Sequence, residues 1–498
     1  MKKITKILFS LLMMFAMISC NEDNLETYPK DAMDTGAVFT DTEGAWGAIN
    51  GIHRLLYIRY QSDQDSYGQS AIMMIMDLAG EDCYMAASTN RYMTVCRWTA
   101  FESDENRAVI FAWQYFYKII ANANLIIGNI DKATGPQTDK NAIKGQALTY
   151  RAWAHFMLAQ LYGMRYEAGK TNTQLGVPIM TYESPEAKAR NTVEEVYTQV
   201  NNDLDEAIQL LAGYKRVNKS HLDQSVAYGI KARVALAQGK WMDAATNADN
   251  ALKGYSFMSH DQQLEGYNNY DNPEWMWGSK LQADQMGNAF DNFFAYMGYN
   301  FNSRGVKEGP RCINKLLYDK ISDTDVRKTT LWKKDGKTDP TAVFPEGGLK
   351  ADYVHQKFMS PTSASAAGAC IPYMRVAEMY LMAAEGYART GTNDDLARTR
   401  LYALQSTRDP KYKKSTATGD ALIEEIMYAR RIELWGEGFR FLDLKRLKQA
   451  LDRNGTGVST TVASVMTVET GDSRWQWQIP LVEIRANSLI EQNPGCIG

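Results

Sequence analysis

Three stretches of this chain repeat one pattern, and that pattern restricts the fold more than any other feature. Ala147 to Gly163, ALTYRAWAHFMLAQLYG, has no Gly or Pro before its end and is rich in strong helix formers. Tyr150, Trp153, Ala154, Met157 and Leu161 recur at steps of three and four, which sets them on one helix face. Gly163 stands where a helix would be capped. Small Ala side chains between the large rings let a second helix come close. In the second stretch Val226, Ala227, Ile230, Val234 and Leu236 lead to Gly239 and Trp241. Ala244, Ala248 and Ala251 then follow at intervals of four and three. The third has Ala377, Tyr380, Leu381, Ala384 and Tyr387 before Gly391, then Leu396, Ala397 and Leu401.

Each stretch reads as part of a helix–turn–helix unit of the tetratricopeptide type. The regular spacing of about 34 residues found in such arrays is missing, because long insertions separate the copies. Ordinary amphipathic helices of an all-α core would give part of the same signal. The expected fold is mainly α, with tetratricopeptide-like helix pairs forming a scaffold. More helices follow from the same periodicity. Thr40 and Glu43 suggest a capping box ahead of the stripe Ala45, Ala48, Ile49, Ile52, Leu55 and Leu56. Ile110, Trp113, Tyr117, Ile120, Asn124 and Ile127 form another stripe, on which the buried amide of Asn124 must find partners. Thr192 and Glu195 open a helix along Val193, Val196, Tyr197, Val200, Leu204, Ile208 and Leu211.

Two regions lack helical period. Residues 60–104 read as loops with short elements. From Tyr255 to about Pro372, Asn, Gly, Asp, Pro and aromatics dominate, apart from a helical stretch at Ile313 to Ile321. A stretch this long with so little regular structure is usually functional. Within it, Trp275 and Trp277 alternate as in a strand and are expected to be packed. Helices return at Tyr373 and again from Ile423 to Leu451.

The N-terminus reads as a targeting segment. Lys2, Lys3 and Lys6 precede an apolar run from Ile7 to Ile18 that is too short to span a bilayer. Ser19-Cys20 closes it and resembles the cleavage site of bacterial lipoproteins, where the Cys becomes the lipidated first residue. Met17 and Ile18 depart from the usual residues there, and ordinary cleavage leaving a free thiol is the alternative. The expected organisation is a lipoprotein signal peptide at 1–19, lipidation at Cys20 and a polar surface tether at 20–40. A helical part at 41–254, a loop-rich lobe at 255–372 and the C-terminal helical part of the same domain at 373–498 follow. Cys83, Cys96, Cys312, Cys370 and Cys496 remain, an odd number, so at least one thiol is free. Cys83 and Cys96 could pair in an oxidising compartment. No C-x-x-C supports a zinc or redox site.

Several function classes drop out. A net charge of −3 argues against nucleic acid, which calls for clustered Lys and Arg. His53, His155, His221, His260 and His355 are scattered and form no HExxH. His155 lies in an apolar helix and reads as a satisfied core residue. Gly169-Lys170-Thr171 is not a P-loop, because Met164 stands where that motif needs Gly. Among 58 acidic residues, paired carboxylates are no sign of glycoside hydrolysis. No catalytic residue, metal or cofactor is expected. The 28 Tyr and 11 Trp should include many half-exposed rings, because both side chains carry polar atoms.

Taken together, these segments resemble the SusD/RagB family of outer-membrane nutrient-binding lipoproteins over nearly the whole chain. Trp113, Tyr117 and Asn124 look like the family's early helix. GQALTYRAWAHFMLAQLYG resembles its hallmark segment, and VYTQVNNDLDEAIQLL and ARVALAQGKWMDAATNADNAL its next two elements. ARRIELWGEGFRFLDLKRL is close to its charged signature, with Ala429 where the family often has Glu. IPLVEIRANSLIEQNPG matches its end, through Pro480, Glu483, Asn487, Gln492, Asn493, Pro494 and Gly495. Arg165 to Gln174 is an insertion. The resemblance implies a scaffold of tetratricopeptide-like helix pairs with a loop-rich ligand-binding lobe. It also implies a non-catalytic, lipid-anchored protein facing the cell surface at the outer membrane. Such a protein would bind a glycan and lid a SusC-like TonB-dependent transporter. A binder of peptides or another nutrient on the same scaffold, a surface glycoside hydrolase and a purely structural partner of the transporter are the alternatives. In the charged signature, Arg430, Arg431, Glu433, Glu437, Arg440, Asp443 and Arg446 alternate in sign and read as a structural ion-pair network.

A sugar offers apolar C–H faces and a rim of hydroxyls, so its site needs exposed aromatics interleaved with polar loop residues. Two regions qualify, and in the family the site is built from these two parts of the chain. The first, Tyr84 to Trp98, offers Tyr84, Asn90, Arg91, Tyr92 and Trp98. The second, Phe290 to Arg304, offers Phe294, Tyr296, Tyr299, Asn300, Phe301 and Arg304. A Trp that serves in one relative falls near Ala87 here, so the family's aromatic positions do not carry over.

Overall fold

The computed structural model describes residues 35–60, 65–89, 91–184, 186–281, 292–363 and 369–497. The segment expected to be a signal peptide, the expected lipidation site Cys20 and most of the expected tether lie outside the described residues, as does Asn90. The chain is docked before residue 40. Thr35–Val38 forms one helical turn, Phe39 is buried, and the Thr40 carbonyl accepts from Thr134.

The helices that build the scaffold are α1 (Thr42–Leu55), α2 (Gln69–Ala79), α3 (Arg107–Asn129), α4 (Gln137–Tyr162), α5 (Val193–Leu210) and α6 (Gln224–Gln238). After them come α7 (Trp241–Ala251), α8 (Val376–Arg389), α9 (Asp394–Gln405), α10 (Gly419–Glu433), α11 (Arg440–Arg446) and α12 (Leu481–Ala486). The expected stripes are buried, and the fold is mainly α. The α5 capping box is present with both arms made. At α1 the cap is Asp41, whose side chain accepts from Gly44 N, while Thr40 bonds back to Ala37.

Successive helices pack as neighbours from α3 to α7, and α7 packs directly on α8. Gly386 makes that last contact possible, because a Cβ there would stand 2.6 Å from the Trp241 carbonyl oxygen. The run of helices therefore closes over the insertion between α7 and α8. The strands are β1 (Cys83–Met85), β2 (Trp275–Lys280), β3 (Arg311–Ile313), β4 (Trp332–Lys333), β5 (Val354–His355), β6 (Cys370–Arg375), β7 (Leu451–Asp452) and β8 (Thr467–Val468). β2 and β6 pair antiparallel at the neck of the insertion, and Trp275 and Trp277 are buried there as expected. An antiparallel sheet of order β1-β3-β5-β4 ties the lobe to the segment after α2.

Further expectations need correction. α2 falls within the region read as loops. Every residue from Ser70 to Ala79 is buried, so the helix is apolar all round and has no stripe to read. The helix expected from Ile423 to Leu451 is two, broken where Gly436 and Gly438 take φ of 77° and 86°, a region open mainly to glycine. The helical stretch expected at Ile313 to Ile321 shrinks to Lys315–Asp319, because Ile313 ends β3. Cys83 and Cys96 are both buried free thiols, so the bridge they could have formed is absent.

The charged signature is an ion-pair network in the core. Arg430 and Arg446 both reach Asp443 at 2.8 Å, and Arg446 continues to Glu385 at 2.7 Å. Arg431 pairs with Asp82 at 2.5 Å and Arg440 with Glu81 at 2.6 Å. Deeper still, Glu433 accepts from Arg327, Arg375 and Arg408 at 2.6, 2.8 and 3.0 Å. Glu437 accepts from Lys357 and Arg375 at 2.6 Å each. Glu274 bridges Arg375 and Arg408, and Asp325 completes the set on Arg327. Four carboxylates thus meet four cations, which is what makes such burial tolerable. Burial alone would raise the Glu433 carboxyl, but Arg408, Arg375 and Arg327 outweigh it and hold it well below the usual range.

Asn124 finds the partners its position demanded: its amide donates to Met180 O at 3.0 Å and accepts from Arg151 at 3.1 Å. His155 is a satisfied core residue. One ring nitrogen meets Arg151 O at 3.0 Å and the other accepts from Met180 N at 3.1 Å.

Candidate functional site

The two loop regions singled out for a ligand are brought together. Tyr84 on β1 lies opposite Cys312 on β3, just past the second region. Gly309 presses so close to the first loop that a Cβ would stand 2.5 Å from the Thr89 methyl. Tyr92, held at φ 59°, meets the Tyr296 ring edge-on at 5.4 Å. Tyr67 lies flat against the other aspect of this cluster, stacked on Tyr296. The Tyr92 hydroxyl donates to that of Tyr67 at 3.0 Å. Burial pushes both phenols well above their ordinary range, so they keep their protons and act as neutral hydrogen-bonding groups.

The cluster is closed. Tyr92 and Tyr296 are each 6% exposed and Tyr67 only 1%, so they present edges rather than faces. Trp98, Phe294 and Phe301 are 0% exposed and belong to the core. The indole of Trp98 donates to Ala79 O at 2.9 Å and meets the rings of Phe101 and Trp475. A buried ring has no face for a sugar, which removes these three from the expected platform. The physical reason is local: a lobe with little regular structure builds its core from the aromatics of its own loops.

The remaining residues differ in what they offer. Tyr84 is half-buried, with burial raising its phenol. Tyr299 is half-buried, edge-on to the His355 ring at 6.3 Å. Asn300 spends both ends of its amide on Ser360, donating to its carbonyl at 2.9 Å and accepting from its N–H at 2.8 Å. Arg91 lies 3.4 Å from Asp65, with both side chains partly open. Arg304 is largely exposed and pairs with Glu308 at 2.6 Å. Tyr84, Arg91, Tyr299, Asn300 and Arg304 are therefore the described residues of the set that stay open in part, with the Asn300 amide already engaged. Tyr67 was missed because it sits in the polar stretch before α2, where nothing in the sequence links it to Tyr296.

A separate cleft of about 690 Å³ opens between α3, residues 178–184 and 186–188, and α12. Trp113 and Tyr117, one turn apart on α3, form its wall with ring centroids 4.8 Å apart. Glu483 accepts from the Trp113 indole at 3.4 Å, and Tyr117 donates to Pro178 O at 2.9 Å. Tyr60 and Tyr182 also line it. The helical stripe had marked Trp113 and Tyr117 as core positions, and Tyr182 lies in a stretch given no role. Among the described residues no group of three or more His, Cys, Asp or Glu is placed to hold a metal ion. No described helix is long and apolar enough to cross a membrane.

Comparison with known proteins gives consistent matches along the chain. A family model described as starch-binding associating with outer membrane matches residues 63–236, and the model of the SusD family, SusD_RagB, matches residues 236–495. Their junction falls inside α6, so it marks no boundary in the fold. A SusD-like protein of Bacteroides ovatus is 24% identical over 492 residues, covering 89% of this chain and 82% of that one. The crystal structure of a SusD-like carbohydrate binding protein from Bacteroides vulgatus aligns with a TM-score of 0.79 at 27% identity, over 91% of this chain and 98% of that one. A SusD superfamily protein from Bacteroides thetaiotaomicron aligns at 0.77 and 25% identity, over 91% and 100%.

Proposed function

The chain belongs to the SusD/RagB family, and from that footing we propose that it binds oligosaccharide or polysaccharide at the cell surface and hands it, unaltered, to a TonB-dependent outer-membrane transporter. The observation that carries the reading is the meeting of the 84–98 and 294–304 loops. Two segments far apart in sequence converge on one tyrosine cluster. On the same two segments Tyr84, Arg91, Tyr299 and Arg304 keep part of their surface open. Partly open rings and guanidiniums on these segments suit a ligand with apolar faces and many hydroxyls. The carbohydrate-binding relative from Bacteroides vulgatus supports the same ligand class.

The family description supports association with the outer membrane. Cys20 carries the anchor in this reading, after removal of residues 1–19. More than one acyl chain is needed, because a single chain holds a protein to a bilayer only marginally. The scaffold helices form the face toward the transporter.

The test is native gel electrophoresis of the purified protein through starch, laminarin, xylan and mannan in turn. Retardation by at least one polysaccharide is expected, with no shortened products after long incubation. Capture of peptides with no retardation by any glycan would overturn the ligand class, and released oligosaccharides would make the protein a hydrolase. Gentle detergent extraction should bring down a much larger β-barrel protein, and recovery of the chain alone would count against the transporter.

A further inference from the structure

The cleft between α3 and α12 lies apart from the junction of the two loops, and we propose that it is a second carbohydrate-binding site, for an uncharged stretch of a longer glycan. At about 690 Å³ it falls within the range of about 300–1,000 Å³ usual for ligand clefts.

Its lining fits a sugar in two respects. Tyr60, Tyr117 and Tyr182 bring three partly open rings to one opening, and the buried Trp113 packs against Tyr117. Tyr182 is 56% exposed, with the Lys188 ammonium 4.2 Å from its ring centre. Gln114, on the same wall, has a buried amide oxygen with no hydrogen-bond partner. The rest of the Gln114 side chain is partly open, so a small turn of the amide would offer this unpaired acceptor to a sugar hydroxyl.

The charges point the same way. Lys118 and Lys188 face Glu183, Glu186 and Glu483, so the site is close to balanced and offers little to a strongly anionic or cationic ligand. A peptide bound by strand addition needs a free sheet edge. This cleft is walled by helices and loop, and none of its lining residues lies in a strand.

Placement links the cleft to the first site. Tyr60 lines the cleft, and its N–H donates to Ser66 O at 2.6 Å. The next residue, Tyr67, is the one stacked on Tyr296. The cleft and the tyrosine cluster therefore border the two ends of one short connection. A glycan long enough to reach both gains from being held twice, since the second contact is made at a high effective concentration. The choice of glycan as ligand rests in part on the function proposed above.

The experiment compares Tyr182→Ala and Gln114→Ala with the unaltered protein. Each is run through gels of starch, laminarin, xylan and mannan, and each is titrated with whichever polysaccharide retards the unaltered chain. Tyr182 is exposed, so its loss should leave the melting temperature unchanged. Affinity for the polymer should fall at least about fivefold in the double variant. The same fall should appear in a Tyr299→Ala background, which alters the other site. Affinity unchanged by both cleft substitutions, while the unaltered protein binds glycan, would overturn this site and leave the proposed function standing. No glycan binding by the unaltered protein would overturn both. Peptide binding lost on Tyr182→Ala would assign the cleft to peptides instead.

Discussion

The Tyr296 ring lies flat on that of Tyr67, with centroids 5.3 Å apart and planes 6° from parallel. The pair sits where a ligand platform was expected, yet both rings are almost fully covered. Tyr296→Ala should therefore cost stability, not only ligand. Removing a buried ring of this size typically costs about 3–5 kcal/mol. A clear drop in melting temperature is expected, and a melt matching the unaltered protein would show that the ring is not packed as described.

Arg91 and Tyr299 should behave in the opposite way. Both keep part of their surface open on the two segments that meet at the cluster. Arg91→Ala and Tyr299→Ala are expected to weaken polysaccharide binding about fivefold or more each, by analogy with lost stacking and charged contacts. Their melting temperatures should stay within a few degrees of the unaltered value. Titration calorimetry and thermal melts on the same preparations check both halves.

Glu433→Gln would strip the shared carboxylate from Arg327, Arg375 and Arg408. Breaking a buried pair while leaving its cations behind typically costs about 3–5 kcal/mol. The pH dependence follows from the depressed carboxyl of Glu433 in the folded protein. Its stabilising share is complete above the unfolded value of about 4.3 and is lost as the pH falls below it. Urea titrations at pH 7 and at about pH 3.5 should show a large acid loss in the unaltered chain. A smaller loss is expected in the variant.

His155 gives a second acid signature at milder pH. Burial lowers its pKa to about 3, with the neighbouring Arg151 adding to the effect. Unfolded, it would titrate near 6.5. Its share of the stability is therefore full above about pH 6.5 and should fall by about 1.4 kcal/mol per pH unit below it, as the unfolded chain takes up the proton. His53, His221 and His355, lowered by burial too, add to the total slope. His155→Gln keeps an acceptor for Met180 N without the titration, and should reduce the slope between pH 6.5 and pH 4.5 by that share. An identical slope in the variant would place the proton uptake elsewhere.

Cys20→Ala should release the protein from the membrane or stall it on the way to the surface. Surface labelling of intact cells and phase partitioning in detergent check this, and normal labelling of the variant would remove Cys20 as the anchor.

The scaffold was legible because its helices repeat large apolar residues at steps of three and four between smaller or polar ones. Tyr150, Trp153 and Leu161 on α4, or Val226 and Ile230 on α6, announce the helix in this way, although α4 is buried on every side from Gly145 to Tyr162. α2 escaped because its unbroken apolar run, Ala71 to Met76, has no polar residue to mark a period. The loop aromatics were harder for a different reason. A ring at Phe301 and a ring at Tyr299 look alike in sequence, since irregular backbone has no period to say which points inward. Tyr67 and Tyr296 meet only through the tertiary fold, and no local pattern joins them. Trp113 and Tyr117 carry a further lesson: the stripe placed them correctly on α3, but not at the wall of a cleft.

The shared carboxylates set an order on the birth of the molecule. Arg327, Arg375 and Arg408 precede Glu433 and Glu437 in the chain. A nascent chain that ends before Glu433 leaves these guanidiniums and Lys357 only Glu274 and Asp325, two carboxylates for four cations. Burying cations short of partners is penalised, so closure of this core is opposed until Glu433 and Glu437 have been made. A shortened gene product would lack these counter-charges however intact its early helices were.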